Sequence, residues 1–544
     1  MDKKKRLITM VVTLLVLTIG VTFAYFMART GEGKQAGTTI TTGTVDDLKF
    51  NVSKENLSLN INQFNFASGS GNLSDNVIAT ASLKANSTKS TATYNYYVYF
   101  QIESNDYVYT TTDKKPEIVL SITGPNGEIT SVDGLKYVSA TNADGTIVKG
   151  FDITEQKSSV IKVADSFEIS SASSTNYTNQ DWVFKVSFIN LDTNQVDNEG
   201  KNLTGKVLIQ QEKIITSISD VAKSGDALAT VLETLGTKGD SSLTGLYHHD
   251  ASLTNGAGDN SYRFAGANPN NYVCFGSDET TCPNENLYRI IGVIDGKVKL
   301  ISADGATTDM LGTDGGYYNN YKSIWGTPTT YKGNGDLSKI GIYLWNQTGT
   351  NTWSTSTTNT TNLNKNFLTY LDGKNVKWKT MVADTTWYVG GMTLQNGVFV
   401  NAKTGYDYEV GANKDTSTTV ISKIGLMYVS DYYYGANPNY WTLPGYDMNG
   451  VFDGATNTWV GNDYSKTYND NWMSIGLNDW TLSRTSVDSY TAFVVGDDGR
   501  VGGDGSVSGV GFTVCPSFNL TSSMKYESGD GTASSPIRLK IWPH

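Results

Sequence analysis

The chain has 544 residues, enough for two or three domains that each bury a core of their own. Its formal net charge is −11 and nothing in it forms a basic stripe, which argues against nucleic acid as a partner. Charged residues make up only 17 %, against 32 Tyr and 55 Gly, a composition that favours extended β-structure outside the cytoplasm over a helical cytoplasmic enzyme.

The first element is an export signal. Asp2 to Arg6 is a basic cluster, and residues 7–28 are uncharged and mostly apolar. A positive segment followed by such a stretch is either a secretory signal or an N-terminal membrane anchor, and the length allows both. Ala24, a small residue before Tyr25, is the candidate cleavage site. If the signal is cut there, four cations and one anion leave with it and the net charge becomes −14. If it is not, residues 7–28 hold the chain in the membrane.

Residues 29–43 are polar, rich in Gly and Thr, and form a tether. Strand signals then continue to about Lys213. Tyr94, Tyr96, Val98, Phe100 and Ile102 alternate with other residues in the period of two that marks a half-buried strand, and Trp182, Phe184, Val186 and Phe188 repeat it. Turn signals at Pro125-Asn126-Gly127, Asp133-Gly134 and Asp144-Gly145 separate the runs. The pattern predicts an antiparallel β-sandwich within residues 29–213.

Residues 214–243 follow as a helical linker. Ile218, Val221, Leu228, Val231, Leu232 and Leu235 can share one face of a helix over Ser217–Gly239, interrupted at Gly225. From Thr244 the texture changes, with more Gly, Asn and Trp. Leu287–Ile294 and Lys297–Ser302 flank Asp295-Gly296, which predicts a hairpin with a type I′ turn. Ala492–Val501, around Asp498-Gly499, predicts a second. Thr350–Asn364 is expected to be an exposed loop and Lys423–Val429 a buried strand. Residues 244–544 therefore form an α+β domain of short strands and long connections.

Two stretches resemble known families. Gly20-Val21-Thr22-Phe23-Ala24-Tyr25-Phe26, followed by Thr42-Gly43-Thr44-Val45-Asp46, is similar to the N-terminus of the TasA/camelysin family of Gram-positive envelope and biofilm-matrix proteins. That resemblance implies a jelly-roll topology for the sandwich. Tyr262 to Phe275, Leu287 to Val293, Gly425 to Tyr432, Asn471-Trp472, Trp480 to Arg484 and Pro516 to Leu520 resemble an uncharacterised domain of Gram-positive surface proteins. Its short strands and Trp-bearing segments are similar to the C-type-lectin-like fold, which formylglycine-generating enzymes also use. Members commonly carry Arg where this chain has Cys515, so no role resting on that arginine carries over.

Catalytic signatures are missing. The chain has three histidines, with no His-Glu-x-x-His zinc motif and no Gly-x-Ser-x-Gly elbow. His248 and His249 sit in a polar segment and are expected to be solvated. Asp431, Asp447, Asp479 and Asp488 could pair as glycosidase carboxylates, but turn chemistry explains acids in such a region as well. No cofactor is expected. Calcium is conceivable at Asp497, Asp498 and Asp504, although a hairpin turn accounts for the first two without metal. Cys274 and Cys282 are close enough to pair, and in an exported protein a disulfide is the default, with Cys515 left as a buried thiol.

The aromatic residues are the better lead. Trp441 and Trp459, with Tyr440 and Asp447, lie in Asn/Gly-rich loops and are the expected ligand contacts; Trp472 and Trp480 are expected in the core. The function expected is a surface-displayed binding or adhesion protein for a glycan or protein ligand. The alternatives are a matrix or fibre subunit that self-associates by strand exchange with residues 29–50 as donor, and, third, a glycan hydrolase.

Overall fold

Alternation of apolar and polar residues decides the first part of the molecule. The computed structural model describes residues 46–62, 73–86, 91–156, 159–392, 401–443, 451–453, 458–460 and 464–540. Residues 7–28, with Ala24, lie outside them. No helix among the described residues is long and apolar enough to cross a membrane. The chain divides into two compact units, Met1–Ile214 and Ile215–His544.

The first unit holds two antiparallel sheets. One runs in the order Asp47–Val52, Leu73–Lys84, Thr178–Phe188, Ile118–Gly124, Ile147–Asp152, Tyr137–Thr141, with Gly127–Glu128 also paired to Ile118–Gly124. The other runs Leu57–Asn60, Asn202–Gln210, Ala92–Asn105, Ser159–Ser171. Their inner faces share one core, in which Phe100 meets Phe184 at 5.9 Å and Phe167 meets Trp182 edge-on at 5.0 Å. Tyr96, Val98, Phe100 and Ile102 are buried as their period of two predicts, and so are Trp182, Phe184, Val186 and Phe188. Tyr99 departs from the alternation: it is buried as well, and its hydroxyl accepts a hydrogen bond from the Ile214 amide. Beside this apolar core the fully buried Glu117 accepts from the Thr110 amide, Gln195 Nε2 and Asn198 Nδ2, so one carboxylate ties two loops together.

The second unit begins earlier than the linker reading supposes. Residues 215–243, read from sequence as most of a helical linker, belong to it. Leu228, Val231, Leu232 and Leu235 are buried in the core of this unit, and the Gly225 and Leu228 amides donate to Tyr526 and Met524 carbonyls. An apolar helix face must be covered, and here the strands Leu246–His249, Ser261–Phe264, Leu287–Ile294, Lys297–Ser302 and Lys525–Ser528 of the same unit lie against it. The helix itself is shorter than expected, Leu228–Lys238; Ser217 and Asp220 instead close a separate turn at Ile218–Asp220. The interruption falls at Gly225, whose φ is +97°.

Two further sheets organise this unit. The first runs Leu246–His249, Ser261–Phe264, Leu287–Ile294, Lys297–Ser302, Ser517–Asn519, Ile424–Gly425, with Tyr272–Cys274 on the side. The second runs Tyr317–Asn320, Gly341–Tyr343, Phe512–Thr513, Asp479–Arg484, Thr491–Val495, Val501–Ser506. The type I′ hairpin is present, with φ of +49° at Asp295 and +69° at Gly296. In the second hairpin the Gly496 amide donates to the Arg500 carbonyl across a longer loop.

Two expectations are overturned. Thr350–Asn364 is not an exposed loop but enters the helical segments Trp353–Thr355 and Thr358–Phe367, with Trp353, Asn359, Asn362 and Leu363 buried. Its amides act as backbone clamps: Asn351 Nδ2 donates to the carbonyls of Thr485, Asp488 and Thr491, and Asn362 Nδ2 to those of Leu311 and Asp314. Lys423–Val429 is a strand only at Ile424–Gly425, after which the chain turns into the helix Val429–Gly435, buried throughout.

Cys274 and Cys282 form a disulfide with a Cα–Cα distance of 5.8 Å, while Cys515 is free and buried. Replacing both paired cysteines by serine should lower the stability of the second unit by about 2–3 kcal/mol, the loop-closure value for so short a loop, as read from denaturant unfolding under non-reducing conditions.

Candidate ligand-binding site

Three elements of the second unit converge on one carboxylate. Arg263, Gly292 and Lys299 lie directly opposite one another across three neighbouring strands, so they form a row on one face of the sheet. The helix Val429–Gly435 brings Asp431 to that row. Arg263 Nη1 is 3.3 Å from Asp431 Oδ1, and Lys299 Nζ is 2.5 Å from Asp431 Oδ2. Arg263 also donates to Asp259 Oδ2 at 3.0 Å and to Ser261 Oγ at 2.9 Å. Gly292 is required in the middle of the row: a Cβ there would stand 2.1 Å from the Tyr262 carbonyl oxygen.

Arg263, Lys299 and Asp431 are all buried, so the chain has removed two cations and an anion from water. Such a group is tolerated only when paired and hydrogen-bonded throughout. Aromatic faces complete the pairing: Arg263 lies over Tyr406 and Tyr434, and Lys299 over Tyr428 at 4.8 Å and Trp387 at 5.6 Å. Burial opposes ionisation of Asp259, but Arg263 and Ser261 hold it down to about 2. Burial pushes the Lys299 ammonium below its ordinary value against the pull of Asp431.

A second carboxylate lies at the start of the same helix. Glu409 is fully buried and accepts from the Val429 and Ser430 amides at 3.0 and 2.9 Å and from Ser483 Oγ. These donors satisfy its oxygens but none carries a charge. Burial therefore dominates and pushes its carboxyl up to about 7.

Above this ionic floor opens a cavity of about 540 Å³. Trp387, Tyr388, Tyr406 and Tyr428 line its walls; Asp295, Lys297, Thr385, Thr386 and Lys414 line it nearer solvent. The size suits a ligand of one or two sugar rings or a short peptide end. A wider depression of about 710 Å³ passes Tyr247, His248, Asp250 and Asn439, but it is shallow and has no buried charged side chain in its wall.

Of the residues predicted as ligand contacts, the two whose side chains are described, Trp441 and Tyr440, do not line this cavity. Trp441 is a correction: only 1 % of it is exposed, its indole N–H donates to the Ala436 carbonyl, and its ring packs on Tyr247, His249 and Tyr434. A polar loop says nothing of which way its one large apolar ring turns, and burying it removes the most surface from water. Tyr440 is half-buried, its hydroxyl donating to Asp470. Asp447 lies outside the described residues, as does the side chain of Trp459, whose backbone pairs with Phe452. Trp472 and Trp480 are buried, with indole N–H groups donating to the Phe264 and Tyr343 carbonyls.

His249 is likewise not solvated. It is fully buried, accepts from the Ala257 amide at Nδ1, and burial followed by Arg263 brings its pKa down to about 3. His248 stacks on Tyr262 at 4.3 Å. Of the acids considered for catalysis, Asp431 is consumed in the ionic floor, Asp488 caps a turn at Tyr490 and Thr491, and Asp479 is buried beside Cys515. Asp498 pairs with Arg500 at 2.9 Å, which engages a carboxylate considered for calcium; among the described residues no three His, Cys, Asp or Glu side chains gather to hold a metal. No protein-family model matches the chain, and no curated protein matches it.

Sequence reasoning missed Arg263, Lys299, Trp387 and Glu409. The first two carried a signal, since each is a cation inside an otherwise apolar strand (Tyr262-Arg263-Phe264 and Val298-Lys299-Leu300).

Trp441→Ala should destabilise the second unit by about 3–5 kcal/mol in denaturant unfolding, as loss of a buried aromatic does. For Glu409 the folded carboxyl titrates near 7 and the unfolded one near 4.5. The folded chain thus binds this proton more tightly, and the stability it contributes is full below pH 4.5 and lost as pH rises through 7. Unfolding midpoints taken between pH 4.5 and 8 should fall for the native chain, and Glu409→Gln should remove that part of the slope.

Proposed function

We propose that this is an exported protein displayed at the cell surface, whose second unit binds a glycan or protein ligand. The basic cluster and apolar residues 7–28 support export. The binding role is carried by one observation: a cavity of about 540 Å³ over a buried, fully paired ionic floor, with aromatic walls and a polar mouth. A floor held so rigidly presents its lining in one arrangement, which is what selective binding needs. On this reading the first unit is a TasA-like jelly-roll and the second a C-type-lectin-like module, and a surface role follows from both resemblances.

The reading as a matrix or fibre subunit uses residues 29–50 as donor strand. Residues 47–50 already pair within the chain, Asp47 opposite Lys84 and Phe50 opposite Ala81, so exchange would have to displace them. The binding reading needs no such rearrangement and is preferred.

Thr386 is exposed at the mouth, so Thr386→Trp should obstruct the cavity without touching the core. Attachment of the purified full chain to envelope glycan or host-cell surface should weaken about tenfold, with unchanged unfolding midpoint. Undiminished attachment would place the site elsewhere. N-terminal sequencing of protein from envelope and medium separates an anchored chain, beginning at Met1, from one cut after Ala24. Concentration-dependent fibres that vanish on deletion of residues 25–50 would favour the subunit reading, and release of reducing ends from envelope glycan would favour a hydrolase.

A further inference from the structure

The charges of the cavity sort into two layers. The floor is neutral, with Arg263 and Lys299 set against Asp259 and Asp431. The mouth is not. Lys297 and Lys414 have no carboxylate partner among the described residues, and the acid that lines the mouth with them is the exposed Asp295 of the hairpin turn; Asp415, next to Lys414 in the chain, accepts instead from the Ser417 amide and hydroxyl. Lys414 is held in place over the Tyr388 ring at 5.3 Å and by the Gly411 carbonyl at 3.3 Å. The mouth's net positive charge is opposite in sign to the chain's formal net charge of −11.

The neutral part of the lining limits the ligand further. Thr386 offers a hydroxyl, Thr385 and Asn519 form a polar pair in which Asn519 Nδ2 donates to Thr385 Oγ1 at 3.1 Å and the Asn519 side-chain carbonyl oxygen remains as an acceptor, and Tyr388 and Tyr406 offer ring faces. Such a surface matches a ring with many hydroxyls better than an aliphatic ligand, which would strip water from the Thr386 hydroxyl and the Asn519 side-chain carbonyl oxygen without replacing it. A cation finds no free acceptor in the floor, because both carboxylates there are already engaged.

We infer that the cavity binds an acidic saccharide, a sugar ring bearing one anionic group, which is held at Lys297 and Lys414 while the ring hydroxyls meet Thr385, Thr386 and Asn519. This rests on the proposed reading of the cavity as a ligand site and adds the class of ligand. The buried Arg263 and Lys299 are positioning residues: paired to Asp431, they fix the strands that carry the mouth and keep the floor from adding charge of its own. Attraction at the mouth acts between solvent-exposed charges, so it is screened by salt.

The test is calorimetric titration of the purified full chain with digalacturonate, a sulfated disaccharide and neutral digalactose. At low salt at least one acidic disaccharide should bind about tenfold tighter than the neutral one, and that preference should shrink as salt is raised. The double variant Lys297→Ala, Lys414→Ala should lose the preference and keep its unfolding midpoint. Binding by digalacturonate alone or by the sulfated sugar alone identifies which anion is meant. Equal binding of the neutral sugar, a preference that survives in the double variant, or no binding of either acidic disaccharide at millimolar concentration would overturn the inference. If those failures occur while Thr386→Trp still weakens surface attachment, the cavity remains a ligand site for another class; if Thr386→Trp also has no effect, the cavity reading itself falls.

Discussion

Asp431 is the group on which the second unit's architecture depends. A carboxylate with both oxygens buried must be answered by donors on every side, and here two come from strands distant in sequence, Arg263 and Lys299, and one from the Tyr428 amide at the start of the carboxylate's own helix. Removing either cation would leave an uncompensated charge among Trp387, Tyr406 and Tyr428. The same requirement explains Gly292, since the central strand must pass close between the two cations' strands without a side chain. A buried ionic centre of this kind contributes little net stability compared with apolar packing, but it permits only one register of its elements. Register is what a binding site requires.

The two units solve the burial problem in different ways. In the first, two sheets meet through interleaved aromatic and aliphatic side chains, and the buried Glu117 side chain is satisfied by neutral amides and a hydroxyl beside the core. In the second, strands are short and loops long, so backbone groups cannot all be paired by sheet ladders. Asn346, Asn351, Asn359 and Asn362 take up that task, each donating to loop carbonyls. The high Asn content is therefore scaffolding for loops at least as much as it is surface chemistry. The helix Val429–Gly435 joins these themes, because it carries Asp431 on one side and its first amides hold Glu409 on the other.

The cavity draws its character from that scaffold. Its floor is charged yet electrically balanced, its walls are aromatic, and its mouth is formed by a type I′ hairpin, a short ribbon of Thr385–Tyr388 with Thr419–Ser422, and Lys414. Hairpin tips and short ribbons over a rigid centre are the positions where a binding surface can vary without disturbing the fold. Glu409 adds a feature of its own: an acid whose only partners are neutral donors, near the ionic floor, responds to pH in the range where exposed carboxylates no longer do.

Sequence by itself determined the elements whose periodicity is local. The alternation at Tyr96–Ile102 and Trp182–Phe188, the Asp295-Gly296 turn and the break at Gly225 are each dictated by a few neighbouring residues, and each is present. The proximity of Cys274 to Cys282 was legible for the same reason, since so short a loop keeps them within reach. Only the tertiary structure decided where Trp441, His249 and residues 353–367 would go. Their surroundings are polar in sequence and apolar in space, because the rings and strands that cover them come from elsewhere in the chain. The candidate site belongs to this second kind: Arg263, Lys299, Glu409 and Asp431 span much of the unit, and long-range pairing alone turns cations that look misplaced in their strands into the floor of a cavity.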